Sequence, residues 1–280
     1  MSTATTFTDA EFTYISDVVR RRSAIVLEPG KEYLVEARLA PLVRELGLDS
    51  IGALVAKLRL PTGAGLADRV TEAMTTNETS FFRDVAPFQA LRTTVVPPLL
   101  KARAAQRRLR VWCAASSSGQ EPYSIAMTLD DAFPELAGWD VSITATDLSK
   151  EMVDRGRAGL YKALEVNRGL PAPMLVKYFT KLGVDYRLKD EIRSMVVFSE
   201  LNLIGAWPAF GPFDIVFLRN VLIYFDVDTK RTIIGRVKRL LANDGHLFLG
   251  AAETTMNIDD GFERVPVERA GCYRRTSNGV

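Results

Sequence analysis

From about residue 107 onward the apolar residues fall in short runs separated by helical stretches, and this alternation constrains the fold more than any other feature. Leu109–Ala114, Val141–Thr146, Met195–Phe198, Phe213–Leu218 and His246–Gly250 are strand-length runs. Pro122–Ala132, Lys150–Arg157 and Thr229–Leu241 have helical spacing. Strand–helix–strand alternation is the mark of a mostly parallel sheet with helices on its faces. Two alternating stretches between Lys177 and Phe198, around Lys189-Asp190-Glu191, predict a small appended hairpin, and Ala270–Arg275 predicts a last, antiparallel edge strand.

The preceding residues read as helical. Thr8 and Glu11 have the spacing of a capping box, and Phe12, Ile15, Val18 and Val19 follow on one helical face. A second helix is predicted from Lys31 to Leu46, with Pro41 as a kink or break and Gly47 as its stop. A third spans Ser50–Leu58, Pro61–Gly65 is a loop, and a fourth starts near Leu66. The organisation expected is a helical domain over 1–85, a helical linker over 86–106, and an α/β domain over 107–280 with a β subdomain at about 177–198.

Composition removes several classes of function. The single histidine, His246, lies in an apolar strand pattern, and the two cysteines, Cys113 and Cys272, are far apart. That leaves no usual ligand set for a metal, and a Ser-His-Asp or Cys-His mechanism would have to use His246 alone, for which a structural role is expected. A net charge of +2 gives no general argument for nucleic acid. With no signal-peptide pattern at the start and no apolar run of about 20 residues, the protein is expected to be cytoplasmic and not membrane-inserted.

Chemistry is concentrated in four places. Met74–Asp84 sets amides and hydroxyls beside the pair Phe81-Phe82, as a ligand-facing segment would, or as a polar helix junction with an aromatic anchor would. After the first strand comes Ala115-Ser116-Ser117-Ser118-Gly119-Gln120-Glu121-Pro122, either a close-approach loop at a helix N-terminus or a plain turn. Without the GxGxxG pattern it is a poor pyrophosphate site. Asp147 ends the second strand, suited to ribose hydroxyls or to capping the next helix. Arg219-Asn220 ends the fourth strand, and Asn202-Leu203 follows the third, at the sheet edge where ligands sit in open α/β folds.

Taken together these strings resemble the CheR family of chemoreceptor glutamate methyltransferases over about residues 10 to 275. The matching pieces are MTTNETSFFRD, the WxAxxSxGxEPYSIA block from Trp112, ITATDLS, Asn202-Leu203, FDIVFLRNVLIYFD and GHLFLGAAE. The resemblance implies a Rossmann-like class I sheet that binds S-adenosylmethionine (SAM) without a metal, behind an N-terminal all-helical domain. By motif, its SAM contacts map onto Asn77, Thr79, Arg83, Glu121, Asp147, Asn202, Leu203, Arg219 and Asn220, with Arg83 and Tyr224 near the transferred methyl. It also implies methyl transfer to glutamates on the cytoplasmic helices of chemoreceptors, leaving S-adenosylhomocysteine (SAH). Arg38 and Arg44 would face the receptor as docking residues. Two departures, Gln120 for an acid and Gly250-Ala251-Ala252-Glu253 for Gly-His-Ser-Glu, touch no residue that this reading requires. In the family the β subdomain can grip a receptor's C-terminal tether, and the short version here argues against tether dependence. The competing readings are a non-catalytic SAM-binding scaffold, a nicotinamide oxidoreductase and a nucleic-acid methyltransferase.

Overall fold

Thr8 opens the first helix as its sequence spacing requires. Its hydroxyl accepts from the Glu11 N–H at 3.3 Å, and the Glu11 carboxylate accepts from the Thr8 N–H at 2.7 Å. In this computed structural model residues 8–276 are described. They divide into two units: the residues through Thr76 with Tyr224–Thr229, and Asn77–Ile223 with the residues from Lys230 on. The division at Thr76 falls inside the Met74–Asp84 segment, not after it.

The first unit carries α1 (Asp9–Ser23), α2 (Glu32–Glu45), α3 (Ile51–Leu58) and α4 (Ala64–Ala73), with a 3-10 turn at Pro61–Gly63 where a loop was expected. Pro41 neither ends nor divides α2. Leu39, Leu42 and Val43 on either side of it are buried, and that tertiary burial holds the helix across the missing N–H. Ile15, Val19, Val35, Leu39, Leu54 and Val70 are fully buried in one core. Segment 224–229 joins this unit through Val26 N–H donating to the Tyr224 carbonyl at 3.0 Å and an Arg20–Asp226 ion pair at 3.0 Å.

The second unit begins with a helical stretch, α5 (Val85–Ala90), a π turn (Leu91–Val95) and α6 (Val96–Ala102). The π turn stands just before Pro97-Pro98, which offer no N–H, and Val96 N–H reaches back to the Leu91 carbonyl. There follow β1 (Arg108–Ala114), α7 (Gln120–Ala132), β2 (Asp140–Asp147) and α8 (Lys150–Ala158). An insertion carries β3 (Leu160–Lys162), α9 (Ala163–Asn167), α10 (Ala172–Tyr178), β4 (Phe179–Leu182), β5 (Asp185–Leu188) and α11 (Asp190–Arg193). The chain then completes β6 (Val196–Glu200), β7 (Phe213–Leu218), α12 (Val227–Leu240), β8 (Leu241–Leu249), β9 (Phe262–Arg264) and β10 (Gly271–Arg275).

The main sheet has the order β6-β2-β1-β7-β8-β10-β9. β6, β2, β1, β7 and β8 run parallel, and β10 is antiparallel to both neighbours. This is the Rossmann-like α/β architecture expected from the sequence. Strand order reverses at β1, with β2 on one side and β7 on the other, which opens a crevice at the carboxyl edge.

Three details differ from expectation. The edge strand is β9, and β10 lies inside it. β8 begins at Leu241, its register jumping from Phe213↔Leu241 to Ile215↔His246, so only the regular half showed a strand pattern. The hairpin turns at Gly183, not near Lys189, and Asp190–Arg193 is a helical turn; β3 adds a third strand that three residues were too few to announce.

Candidate active site

Five parallel strands end on one edge, and the candidate residues of the second unit follow those ends. The Asn77–Asp84 stretch is fastened there by its aromatic residue. Phe81 is fully buried, edge-on to Tyr161 at 5.0 Å and to Phe179 at 5.6 Å. Burying such a side chain contributes about 1.5–3 kcal/mol. Its backbone is tied down as well: Phe82 N–H donates to Ser124 Oγ at 2.9 Å, and Ser117 Oγ donates to the Asn77 carbonyl at 2.8 Å. Aromatic anchor and polar surface thus belong to one segment. Thr79 and Arg83 are half-buried on it, Arg83 donating to the Glu78 carbonyl at 3.1 Å. Glu78 pairs with Arg168, whose hydrogen bond holds that carboxyl below its ordinary range.

The loop after β1 is a series of unusual backbone angles: φ is 55° at Ala115, 48° at Ser117 and 95° at Gly119. Asp147 is what holds it. One carboxylate oxygen accepts from Ser117 N–H at 2.7 Å, and the other accepts from Ser149 N–H at 2.9 Å. Ser149, not Asp147, caps α8. Gly119 leaves no room for a side chain. A Cβ there would lie 2.9 Å from Phe198 Cζ and 3.1 Å from the Tyr161 hydroxyl.

At the end of β7 a charged network appears that the sequence pattern did not disclose. Arg219 has only 1% of its side chain exposed. Its Nη1 donates to the Glu121 carboxylate, and its Nη2 donates to Asp84 at 2.7 Å and to the Arg83 carbonyl at 3.2 Å. The other Glu121 oxygen accepts from Cys113 Sγ at 3.3 Å. Burial, then that carboxylate, pushes the Cys113 thiol well above its ordinary value, so it stays protonated. Glu121 and Arg219, read separately as ligand contacts, are therefore partners of each other.

Asn220 follows with φ 59°. Asn202 accepts from Ile204 N–H at 3.1 Å, and Leu203, nearly buried, offers its carbonyl to Trp207 and Arg236. Leu201 N–H donates to the Asp147 carbonyl at 2.8 Å, which brings the stretch after β6 to the same edge.

Hydrogen bonds thus gather Asn77, Arg83, Glu121, Asp147 and Arg219. Tyr224, Arg38 and Arg44 lie in the helical unit. Arg38 is not a free surface charge: it donates to the Met74 carbonyl at 2.5 Å and to Thr76 Oγ1 at 2.8 Å, and burial lowers its pKa. Arg44 is exposed. Asp84, Ser117 and Glu253 stand outside the candidates read from sequence. The available signal for Glu253 is that the GAAE string keeps the final Glu of Gly-His-Ser-Glu.

Two buried polar atoms at this edge, Ser116 Oγ and Arg219 Nε, have no hydrogen-bond partner. Buried polar groups normally are bonded, so their presence here fits a polar ligand. Among the described residues no group of His, Cys, Asp and Glu is gathered to hold a metal, and no helix is long and apolar enough to cross a membrane.

A family profile described as CheR methyltransferase, SAM binding domain, matches residues 77–270, and one described as CheR methyltransferase, all-alpha domain, matches residues 10–75. Chemotaxis protein methyltransferase 1 of Pseudomonas aeruginosa is 42% identical, covering 95% of this chain and 98% of its own length. Chemotaxis protein methyltransferase 1 of Vibrio cholerae is 39% identical over 94% and 96%. The chemotaxis protein methyltransferase of Escherichia coli is 36% identical over 91% and 87%.

Proposed function

The chain belongs to the CheR methyltransferase family, and from that membership we propose how its own groups divide the work of methylating a receptor glutamate. The activity is SAM-dependent methyl transfer to glutamate carboxylates of chemoreceptors, in chemotaxis. Bound SAM supplies a sulfonium methyl for in-line transfer, and SAH is the product.

The acceptor asks little of the protein. A glutamate carboxylate is already ionised near pH 7, so no general base is needed. What remains is to hold two reactants in line and to exclude water. We assign Asp147 to the ribose hydroxyls. Its carboxylate is buried at the end of β2 and is held at the open sheet edge by the Ser117 and Ser149 N–H groups. Arg219 has both terminal nitrogens committed to protein, which leaves Nε for the cofactor edge. Glu121, Asn77, Thr79, Asn202, Leu203 and Asn220 complete the cofactor set. Arg83 orients the incoming carboxylate, whose two oxygens match a guanidinium fork, and Tyr224 donates near the reacting atoms. The observation that carries the assignment is the joining of Asn77, Asp147, Glu121 and Arg219 at one sheet edge that also holds two unsatisfied buried polar atoms.

Docking to the cytoplasmic helices of the receptor falls to α2, and there to exposed Arg44 in preference to Arg38. The test is mass spectrometry of receptor incubated with the protein and saturating SAM. Arg83→Ala and Tyr224→Phe are expected to lower the methylation rate with folding intact; parental rates in both would remove these two residues from the reacting centre. Arg44→Glu is expected to slow methylation of intact receptor, less so at high salt, with SAH binding unchanged. A rate indifferent to both would make Arg44 an ordinary solvated residue.

A further inference from the structure

Glu253 lies just past the end of β8 and is 8% exposed, yet no basic side chain among the described residues pairs with it. Five backbone N–H groups satisfy it instead. Oε2 accepts from Asn220 and Gly250, both at 2.7 Å. Oε1 accepts from Val221 at 2.9 Å, Leu222 at 2.7 Å and Ile223 at 3.3 Å. Four consecutive N–H groups, 220 to 223, converge on one carboxylate about 30 residues further along the chain. They can do so only because the chain turns left-handed at Asn220, φ 59°, a conformation that Asn tolerates better than most residues. Packing leaves no slack. A Cβ on Gly250 would lie 2.7 Å from both Asn220 Nδ2 and Glu253 Oε2.

We propose that Glu253 is a positioning residue for cofactor binding: it sets the turn that presents Asn220 at the carboxyl edge. This rests on the assignment of Asn220 to the cofactor site. The chemistry requires an acid. A carboxylate has two oxygens that only accept, enough for five N–H donors, whereas a Gln amide must turn its NH2 toward some of them. The anion also matches the positive concavity made by successive N–H groups.

The test is calorimetric SAH binding to the full chain carrying Glu253→Gln, Asn220→Ala or both. Glu253→Gln is expected to raise the SAH Kd roughly tenfold or more, the equivalent of about one lost hydrogen bond. If Glu253 acts through Asn220, the double variant binds no worse than Asn220→Ala alone, because residues that act through one another are non-additive. A merely structural Glu253 would lower the melting temperature and give additive losses. Gly250→Ala pushes the same pair apart from the other side and is expected to weaken SAH binding similarly, which keeps the test open if Glu253→Gln fails to fold. SAH affinity within twofold of the parent in whichever of these two folds, or additive losses in the double variant, would overturn the proposal. A parent chain that does not bind SAH would instead overturn the assignment beneath it.

Discussion

Replacing Arg219 by Met leaves Glu121 charged at a site where only 12% of its side chain meets solvent. Three interactions are lost, of unequal weight. The pair with Asp84 is 47% exposed on the acid side, so its share is about 0–1 kcal/mol. The bond to the Arg83 carbonyl contributes about 1 kcal/mol. The loss of Glu121's partner dominates, because breaking a buried pair from one side costs about 3–5 kcal/mol. Arg219→Met is therefore expected to destabilise by about 4–7 kcal/mol. Arg219→Lys keeps a charge for Glu121, but one ammonium cannot serve both ends of the guanidinium, and its cost is expected near 1–2 kcal/mol. All three tryptophans, Trp112, Trp139 and Trp207, belong to the sheet unit, so fluorescence in a urea titration follows that unit selectively. Glu121→Gln supplies the control. In that background Arg219→Met is expected to cost less than half as much, since no buried anion is left unpaired. If Met costs no more than Lys, or if Glu121→Gln leaves the cost of Met unchanged, Arg219 does not carry Glu121 and the network is incidental.

Gly169 sits at φ 90°, and a Cβ there would lie 2.1 Å from the Phe81 carbonyl; Gly169→Ala is expected to lower both thermal stability and SAH affinity. Gly183→Ala, at φ 62° with open space around it, is expected to cost only the left-handed penalty of about 1–2 kcal/mol, and equal losses in the two variants would dissociate Gly169 from the 77–84 segment. Asp147→Asn turns an NH2 toward Ser117 or Ser149, so a stability loss of about 1–3 kcal/mol should accompany weaker SAH binding in calorimetry; unchanged affinity would sink the ribose assignment. His246 has a buried Nδ1 without a partner, and burial holds its pKa below 6.5. Its stabilising effect is complete above that pH and lost as pH falls through the lowered value, by at most about 1.4 kcal/mol per pH unit. His246→Leu is expected to flatten stability between pH 7 and 5, and parallel curves for parent and variant would refute this.

Chain direction made much of the site legible. In a strand–helix–strand repeat the parallel strands all end on one edge, so residues just past Ala114, Thr146 and Leu218 had to meet there, whatever their chemistry. Capping was readable at Thr8, because the cap and its Glu11 partner are only three residues apart. Features spread over longer separations were not. Nothing in the order of residues distinguished Arg38 bonded to Met74 from Arg38 on open surface, and a three-residue strand such as β3 leaves no periodicity to detect.

By itself, then, the amino-acid order determined the repeating α/β pattern, the helical start, and which strand ends meet at the carboxyl edge. Tertiary structure decided what those residues do to each other. Arg219 finds Glu121 and Asp84 at separations of 98 and 135 residues, and Glu253 finds the turn at Asn220 at 33. Spacing and periodicity describe neighbours along the chain. A buried charge is satisfied by whichever donors packing brings within hydrogen-bond reach, and only the folded chain sets that reach.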